Sequence, residues 1–64
     1  MLDREWWRGV QAAWHYGRGK GAYKRGAYVE AAKRFRRSLE LAPRNDDTKE
    51  WLRKSERAAS STER

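Results

Sequence analysis

The sequence predicts an all-α protein: a helix–turn–helix hairpin with a long first helix, followed by a third helix that caps it. Residues that favour β-strands are scarce, since the chain has no Ile and only two Val and two Thr among its 64 residues. Apolar residues instead recur every three or four positions, which is the spacing of one face of an α-helix. The pattern predicts a single domain with helices at residues 3–25, 27–42 and 46–59.

The first predicted helix contains more glycine than a helix normally tolerates. Asp3 can cap its N-terminus. Gly17, Gly19 and Gly21 follow in its second half, and each glycine costs about 1 kcal/mol relative to alanine in a helix interior. That cost calls for a structural reason. The residues of this helix that share one face at helical spacing are Trp6, Val10, Ala13, Trp14, Gly17 and Gly21.

Three explanations apply to these glycines, which form the stretch GRGKG. A phosphate-binding loop needs a preceding strand and the spacing GxGxxG, and this segment has neither. A flexible Arg/Gly tract that binds RNA is the second explanation, although the stretch occurs once and aromatic residues flank it. The spacing favours the third explanation, a close contact between helices, because Gly17 and Gly21 lie on one face and leave room for side chains of a second helix.

The second predicted helix has the clearest apolar pattern and the clearest ends. Gly26 precedes it and Pro43 follows it, as start and stop signals should. The residue before a proline is disfavoured in helical conformation, so the helix should end near Leu41 or Ala42. Its apolar face consists of Tyr28, Ala31, Ala32, Phe35 and Leu39.

The third predicted helix has strong signals at its start and a thin apolar face. Asn45, Asp46 or Asp47 can cap it, and Glu50 lies three residues after Asp47, as in a capping box. Residues 60–64 are predicted to fray. Its apolar face consists of Trp51, Leu52, Ser55, Ala58 and Ala59.

Composition excludes several classes of site and favours a cytoplasmic protein. With no Cys and one His, neither disulfides nor Cys- or His-based zinc sites are expected. No nucleophile or acid–base pair is evident around His15, so we expect no enzyme, metal or cofactor. There is no apolar run of membrane-spanning length, and the N-terminal residues lack the apolar core of a signal peptide, so a cytoplasmic location is expected.

The charge of the chain favours an acidic partner. The formal net charge is +7, with eleven Lys and Arg against four Asp and Glu before residue 45 and five of each from there on. Such a balance suits an acidic peptide, nucleic acid or an anionic surface. A run of four cations on the second helix is either a solvated face or a site of phosphate contact. Its members are Lys33, Arg34, Arg36 and Arg37.

Residues 12–45, which span 34 positions, resemble one tetratricopeptide repeat, a helix–turn–helix unit of that length. The resemblance implies that Gly19 is the glycine where the paired helix comes nearest, and that residues 46–59 correspond to the first helix of a following repeat. The first helix departs from the family pattern at His15, Arg18 and Ala22. The residues that match it are Gly19, Gly26, Tyr28, Ala31, Phe35, Leu39, Leu41 and Pro43.

The resemblance also implies a function, because repeats of this family bind proteins or peptides along the groove that their first helices line. It implies a non-catalytic adaptor or scaffold. Lys20 and Lys24, one turn apart, either grip an acidic partner or form a solvated lysine face beside packing aromatic rings. By position, Ala13, Asp47 and Glu50 would also face the groove. The residues expected to bind the partner are Tyr16, Lys20, Tyr23, Lys24, Trp51 and Lys54.

Trp6 and Trp7 indicate a further contact surface. Adjacent helical residues point about 100° apart, so a small monomer can scarcely bury both. The expected cover is a second copy of the chain, a partner subunit or a lipid headgroup region; the alternative is plain exposure to solvent. Because single repeats bury their faces poorly, we expect a homo-oligomer or a subunit of a larger complex. Two other functions stay open: a basic nucleic-acid-associated protein, and a structural subunit docked by its Trp-rich first helix.

Overall fold

The computed structural model describes residues 4–62 and confirms the all-α fold. Helix α1 spans Arg4–Lys24, α2 spans Tyr28–Leu41 and α3 spans Asp46–Thr62. The helices α1 and α2 form an antiparallel hairpin, and α3 packs mainly against α2. None of the three combines the length and apolar character needed to cross a bilayer. The predicted cap Asp3 lies outside the described residues.

The helix ends follow the local signals in the sequence. Gly26 adopts a φ of 82°, a left-handed conformation that favours glycine, and so turns the chain between α1 and α2. Asn45 caps α3, because its side-chain oxygen accepts a hydrogen bond from the Thr48 backbone N–H at 3.2 Å. The third helix continues to Thr62, three residues beyond the predicted end at Ala59. Glu63 and Arg64 lie outside the described residues.

The core of the molecule surrounds Phe35 on α2, which is fully buried. Its ring stacks on Trp51 of α3, with centroids 5.7 Å apart, and meets the edge of Tyr16 of α1 at 6.0 Å. The fully buried Ala22 and Ala31 complete the core cluster. Aromatic rings from all three helices therefore meet at one point.

Gly19 is the glycine that lets α1 and α2 approach each other. A Cβ atom placed on it would lie 2.8–2.9 Å from three atoms of the Phe35 ring, which is closer than real Cβ contacts. The contact predicted for Gly17 and Gly21 is wrong. A Cβ atom on Gly17 meets nothing within 4 Å, and one on Gly21 meets only the Arg25 side chain at 4.0 Å.

The buried faces of α2 and α3 include hydroxyl groups. Ser38 of α2 is buried and donates a hydrogen bond to the backbone carbonyl of Ala12 in α1 at 2.8 Å. Ser55 of α3 is also buried and donates to the Trp51 carbonyl at 2.8 Å. Small hydroxyl residues thus allow close packing, because a backbone carbonyl oxygen accepts a hydrogen bond from each of them.

The apolar stripe predicted for α1 faces away from the rest of the protein. The buried residues of α1 are instead small, namely Ala12, Gly19 and Ala22. We call these three the inner face of α1. The opposite side, which we call the outer face of α1, carries four large apolar side chains that are 42–54% exposed: Trp6, Trp7, Val10 and Trp14.

Candidate functional site

Five of the six residues predicted to bind a partner come together where α1 and α3 meet. The Tyr23 ring of α1 lies edge to face with the Trp51 ring of α3, with centroids 5.3 Å apart. It makes a similar contact with Tyr28 of α2 at 5.1 Å. Trp51 is thus held between Tyr23 and the buried Phe35. We call this region the α1–α3 surface; it consists of Tyr16, Lys20, Tyr23, Asp47, Trp51 and Lys54.

Two ammonium groups of this surface lie near one indole ring. The Nζ atom of Lys20 is 5.7 Å from the centroid of the Trp51 ring and 5.1 Å from that of Tyr16. The Nζ atom of Lys54 lies 5.2 Å from the Trp51 ring. All three distances suit a cation–π interaction. Within residues 4–62, neither lysine forms an ion pair with a carboxylate, so both charges can attract an external anion.

Tyr16 joins α1 to the start of α3 through its phenol. Its hydroxyl donates a hydrogen bond to the carboxylate of Asp47. That hydrogen bond, together with burial and the negative charge of Asp47, raises the pKa of Tyr16 above its ordinary value of 10.0. The phenol therefore stays protonated, and Asp47 is engaged at the edge of the surface.

The sixth predicted residue, Lys24, lies one turn beyond Lys20 and is exposed, without a contact to Trp51. On the other side, Lys54 extends the α1–α3 surface into a shallow depression of about 320 Å³ along α3. Three of its four lining side chains are cationic: Arg53, Lys54 and Arg57, with Glu50 as the fourth. The positive potential of the surface therefore continues along α3.

The structure does not bring the four predicted anion-contact residues onto one face. Arg36 points toward α3 and pairs with Glu56 at 3.1 Å. Arg37 pairs with Glu40 on its own helix at 2.8 Å. Of these four cations, only Lys33 is exposed and also forms no ion pair with another described residue.

The fourth residue of that run, Arg34, reaches across to α1, a contact that the sequence analysis missed. Its guanidinium carbon lies 5.3 Å from the centroid of the Trp14 ring, and Arg18 lies at the same distance from that ring. Arg34 also donates to Nδ1 of His15 at 3.4 Å. Because a guanidinium has no acceptor, this Nδ1 must be unprotonated in that contact.

His15 is accordingly biased toward its neutral form. Its partial burial lowers the pKa below the ordinary value of 6.5, and the positive charges of Arg34 and Arg37 lower it further. It lies beside Trp14, with ring centroids 4.9 Å apart. Within residues 4–62, no group of three or more His, Cys, Asp or Glu side chains is placed to hold a metal ion.

The two tryptophans predicted to form an interface are both about half exposed. Trp6 is 50% and Trp7 is 51% exposed, and their rings meet edge to face at 5.2 Å. A groove that the sequence did not predict lies between α2 and α3. It has a volume of about 260 Å³ and includes the exposed Val29 together with Ala32, Lys33, Arg36, Glu56, Ala59 and Ser60.

Comparison of the chain with protein-family models, with curated proteins and with solved structures finds no match. The resemblance to a tetratricopeptide repeat therefore stays a prediction from the residues.

Proposed function

We propose that the chain is a non-catalytic protein-binding module that holds an acidic peptide on the α1–α3 surface. The observation that carries the proposal is the pair of lysines at Trp51. Lys20 and Lys54 come from different helices, and both ammonium groups lie within 6 Å of one ring without a carboxylate partner in the described part of the chain. A peptide carboxylate between them would gain two charge-assisted contacts.

The rigid support beneath the two lysines favours binding. Trp51 is stacked on the buried Phe35 and contacted by Tyr23, so its ring position is fixed by the core. A lysine whose ammonium group is already held near such rings loses less conformational freedom when it binds an anion. The aromatic rings also offer apolar area to the peptide backbone beside its carboxylate.

The cationic depression along α3 supports a peptide over a single small carboxylate. Arg53 and Arg57 continue the positive charge beyond Lys54. Successive acidic residues of one extended peptide could therefore contact the α1–α3 surface and this depression together. The resemblance to a tetratricopeptide repeat implies the same mode of binding, because it places a peptide groove along the equivalent helices.

The test is a direct binding measurement with defined peptides. A fluorescein-labelled peptide of alternating Glu and Gly is titrated with the full chain, and fluorescence anisotropy gives the dissociation constant. The matched probe replaces each Glu by Gln. We expect the Glu peptide to bind and the Gln peptide to bind at least about tenfold more weakly, since charge-assisted contacts are lost.

Variants then locate the binding site. We expect the double variant Lys20→Gln/Lys54→Gln to weaken binding of the Glu peptide by about tenfold or more. The matched control is Lys33→Gln/Arg44→Gln, which removes the same charge from two exposed cations that form no ion pair among the described residues and do not contact Trp51, and it should have a small effect. Equal losses in both variants would show that binding depends only on net charge, and the proposal would be wrong.

The nucleic-acid alternative is tested in the same assay. A fluorescein-labelled single-stranded oligonucleotide replaces the peptide, and Lys33→Gln/Arg37→Gln is the relevant variant. If the oligonucleotide binds more tightly than the Glu peptide and this variant abolishes that binding, the cations of α2 form the functional surface. A pull-down with and without nuclease would give the same answer in a lysate, since capture through nucleic acid is lost after digestion.

A further inference from the structure

The outer face of α1 is the largest apolar feature that the described fold leaves exposed. Trp6, Trp7, Val10 and Trp14 lie within an arc of about 100° on the side opposite the inner face, and they are 50, 51, 42 and 54% exposed. Exposed apolar surface of this extent on one helix usually marks a contact with another molecule or a membrane. The α1–α3 surface described above is separate from it, since Lys20 and Trp51 lie on the other flank of α1.

The shape of this face suits a flat partner. Both other helices pack on the inner side of α1 or on its Tyr16 flank, so the outer face forms a ridge along one helix. Ser38 near the end of α2 contacts Ala12, and α2 ends three residues later at Leu41. Trp6 and Trp7 therefore lie beyond that end. A ridge of this kind can lie on a plane without a complementary groove in the partner.

The charges around the ridge indicate that the flat partner surface is anionic. Helix α1 carries five Lys and Arg and only one carboxylate, that of Glu5. The guanidinium groups of Arg18 and of Arg34 both lie 5.3 Å from the Trp14 ring. The apolar ridge is thus bordered by cations that suit phosphate groups. Contact between two copies would instead oppose two formal charges of +7.

We propose that the outer face of α1 docks on an anionic membrane surface. The helix lies along the surface with its indole rings at the level of the lipid headgroups, where Trp is preferred because its ring is apolar and its N–H can donate a hydrogen bond. The flanking guanidinium groups contact lipid phosphates, as the cations of surface-bound amphipathic helices do. This proposal does not depend on the peptide site.

The test is flotation of the full chain with lipid vesicles. One set of vesicles is pure phosphatidylcholine and the other contains about one quarter phosphatidylserine. We expect binding to the anionic vesicles, weaker binding to the neutral ones, and partial release as salt rises from about 0.05 M to about 0.5 M because the charges are screened. Equal binding to both vesicle types, or none to the anionic type, would overturn the proposal.

Variants separate the ridge from the rest of the protein. Trp7→Ser/Trp14→Ser should lower the vesicle partition coefficient by about tenfold or more. The control Val29→Ser changes a side chain that is 50% exposed on α2 and should leave it unchanged. Circular dichroism checks that each variant keeps its helices. Arg18→Gln keeps all the indole rings, so it should reduce the preference for anionic over neutral vesicles even if the tryptophan variant folds poorly.

Two other results would assign the ridge differently. Analytical ultracentrifugation without lipid would detect a dimer; a dimer that Trp7→Ser/Trp14→Ser dissociates, combined with no vesicle binding, would make the ridge a contact between copies. Vesicle binding that all of the variants retain would place the membrane contact elsewhere on this basic chain. Either result overturns the proposal.

Discussion

The two sides of α1 have the same helical spacing but opposite environments. The inner face consists of Ala12, Gly19 and Ala22 and is buried, whereas the outer face carries three tryptophans and a valine and is about half exposed. The small side chains let α2 come close enough for Phe35 to fill the space. Burial in this hairpin is therefore decided by how closely a face can be approached, and not by how apolar that face is.

The largest test of this comparison is truncation of the side chain that fills the inner face. Phe35→Ala removes a fully buried ring and should destabilise the protein by about 3–5 kcal/mol. A domain of this size has a free energy of unfolding of only about 3–10 kcal/mol, so we expect the variant to lose a large part of its stability and to unfold at a clearly lower urea concentration. Urea titration followed by far-UV circular dichroism measures the change.

Trp14→Ala is the matched change on the outer face. It removes a larger ring that is 54% exposed and contacts two guanidinium groups, so the expected cost is about 1 kcal/mol or less. Similar losses for the two variants would mean that the outer face is buried in solution. In that case a second copy would be the simplest cover, and stability would depend on protein concentration.

The second test compares two glycines of the same helix. Gly19→Ala places a Cβ atom against the Phe35 ring, and we expect a net loss of about 1–3 kcal/mol from overpacking. Gly17→Ala meets nothing within 4 Å, so it should stabilise the protein by about 0.5–1 kcal/mol through helix propensity. Urea titration should therefore give changes in the free energy of unfolding that have opposite signs for the two variants. Adding one methyl group would then distinguish the buried face of α1 from the exposed one.

A double-mutant cycle identifies the cause of the Gly19 effect. If the clash with the Phe35 ring is responsible, Gly19→Ala should cost clearly less in a Phe35→Leu background than in the unaltered sequence. The same cost in both backgrounds would point to a backbone effect of Gly19 itself. A stabilising Gly19→Ala would contradict the close approach of α1 and α2.

The sequence predicted the fold well because its signals for the helix ends are local. Pro43 and Gly26 act on their own backbone or on that of a neighbour, and they give the ends of α2 to within one residue. The periodicity of α2 was also sufficient, since its most apolar face is the one that packs. Neither signal requires knowledge of a partner element.

The facing of α1 could not be predicted from periodicity, because both of its sides repeat every three or four residues. The choice depends on whether the volume of Phe35 fits opposite Gly19 or opposite Gly17, which is a property of two helices together. Similarly, the sequence placed Lys20 and Trp51 on one surface only through the repeat resemblance. The cations of α2 were grouped by sequence, although Arg34 and Arg36 point about 160° apart on a helix.

His15 lies at the border between the two sides of α1 and gives the smallest, pH-dependent test. Burial, followed by the charges of Arg34 and Arg37, lowers its pKa in the folded state below 6.5. The unfolded chain therefore binds more protons between the folded and unfolded pKa values, so the free energy of unfolding should fall as the pH drops below about 6.5. Because it is the sole histidine, NMR titration of its ring protons reports this pKa directly.

Two variants show whether this pH dependence comes from His15 and its contact with Arg34. His15→Gln should flatten the dependence of stability on pH in the window below 6.5, although the carboxylates still titrate at lower pH. Arg34→Gln should raise the pKa of His15 by removing a nearby positive charge. A His15 that titrates at or above 6.5 in the unaltered chain would mean that neither burial nor the charge of Arg34 acts on its ring. The contacts of Arg34 with His15 and Trp14 would then be wrong, and Arg34 would not be one of the cations beside the outer face of α1.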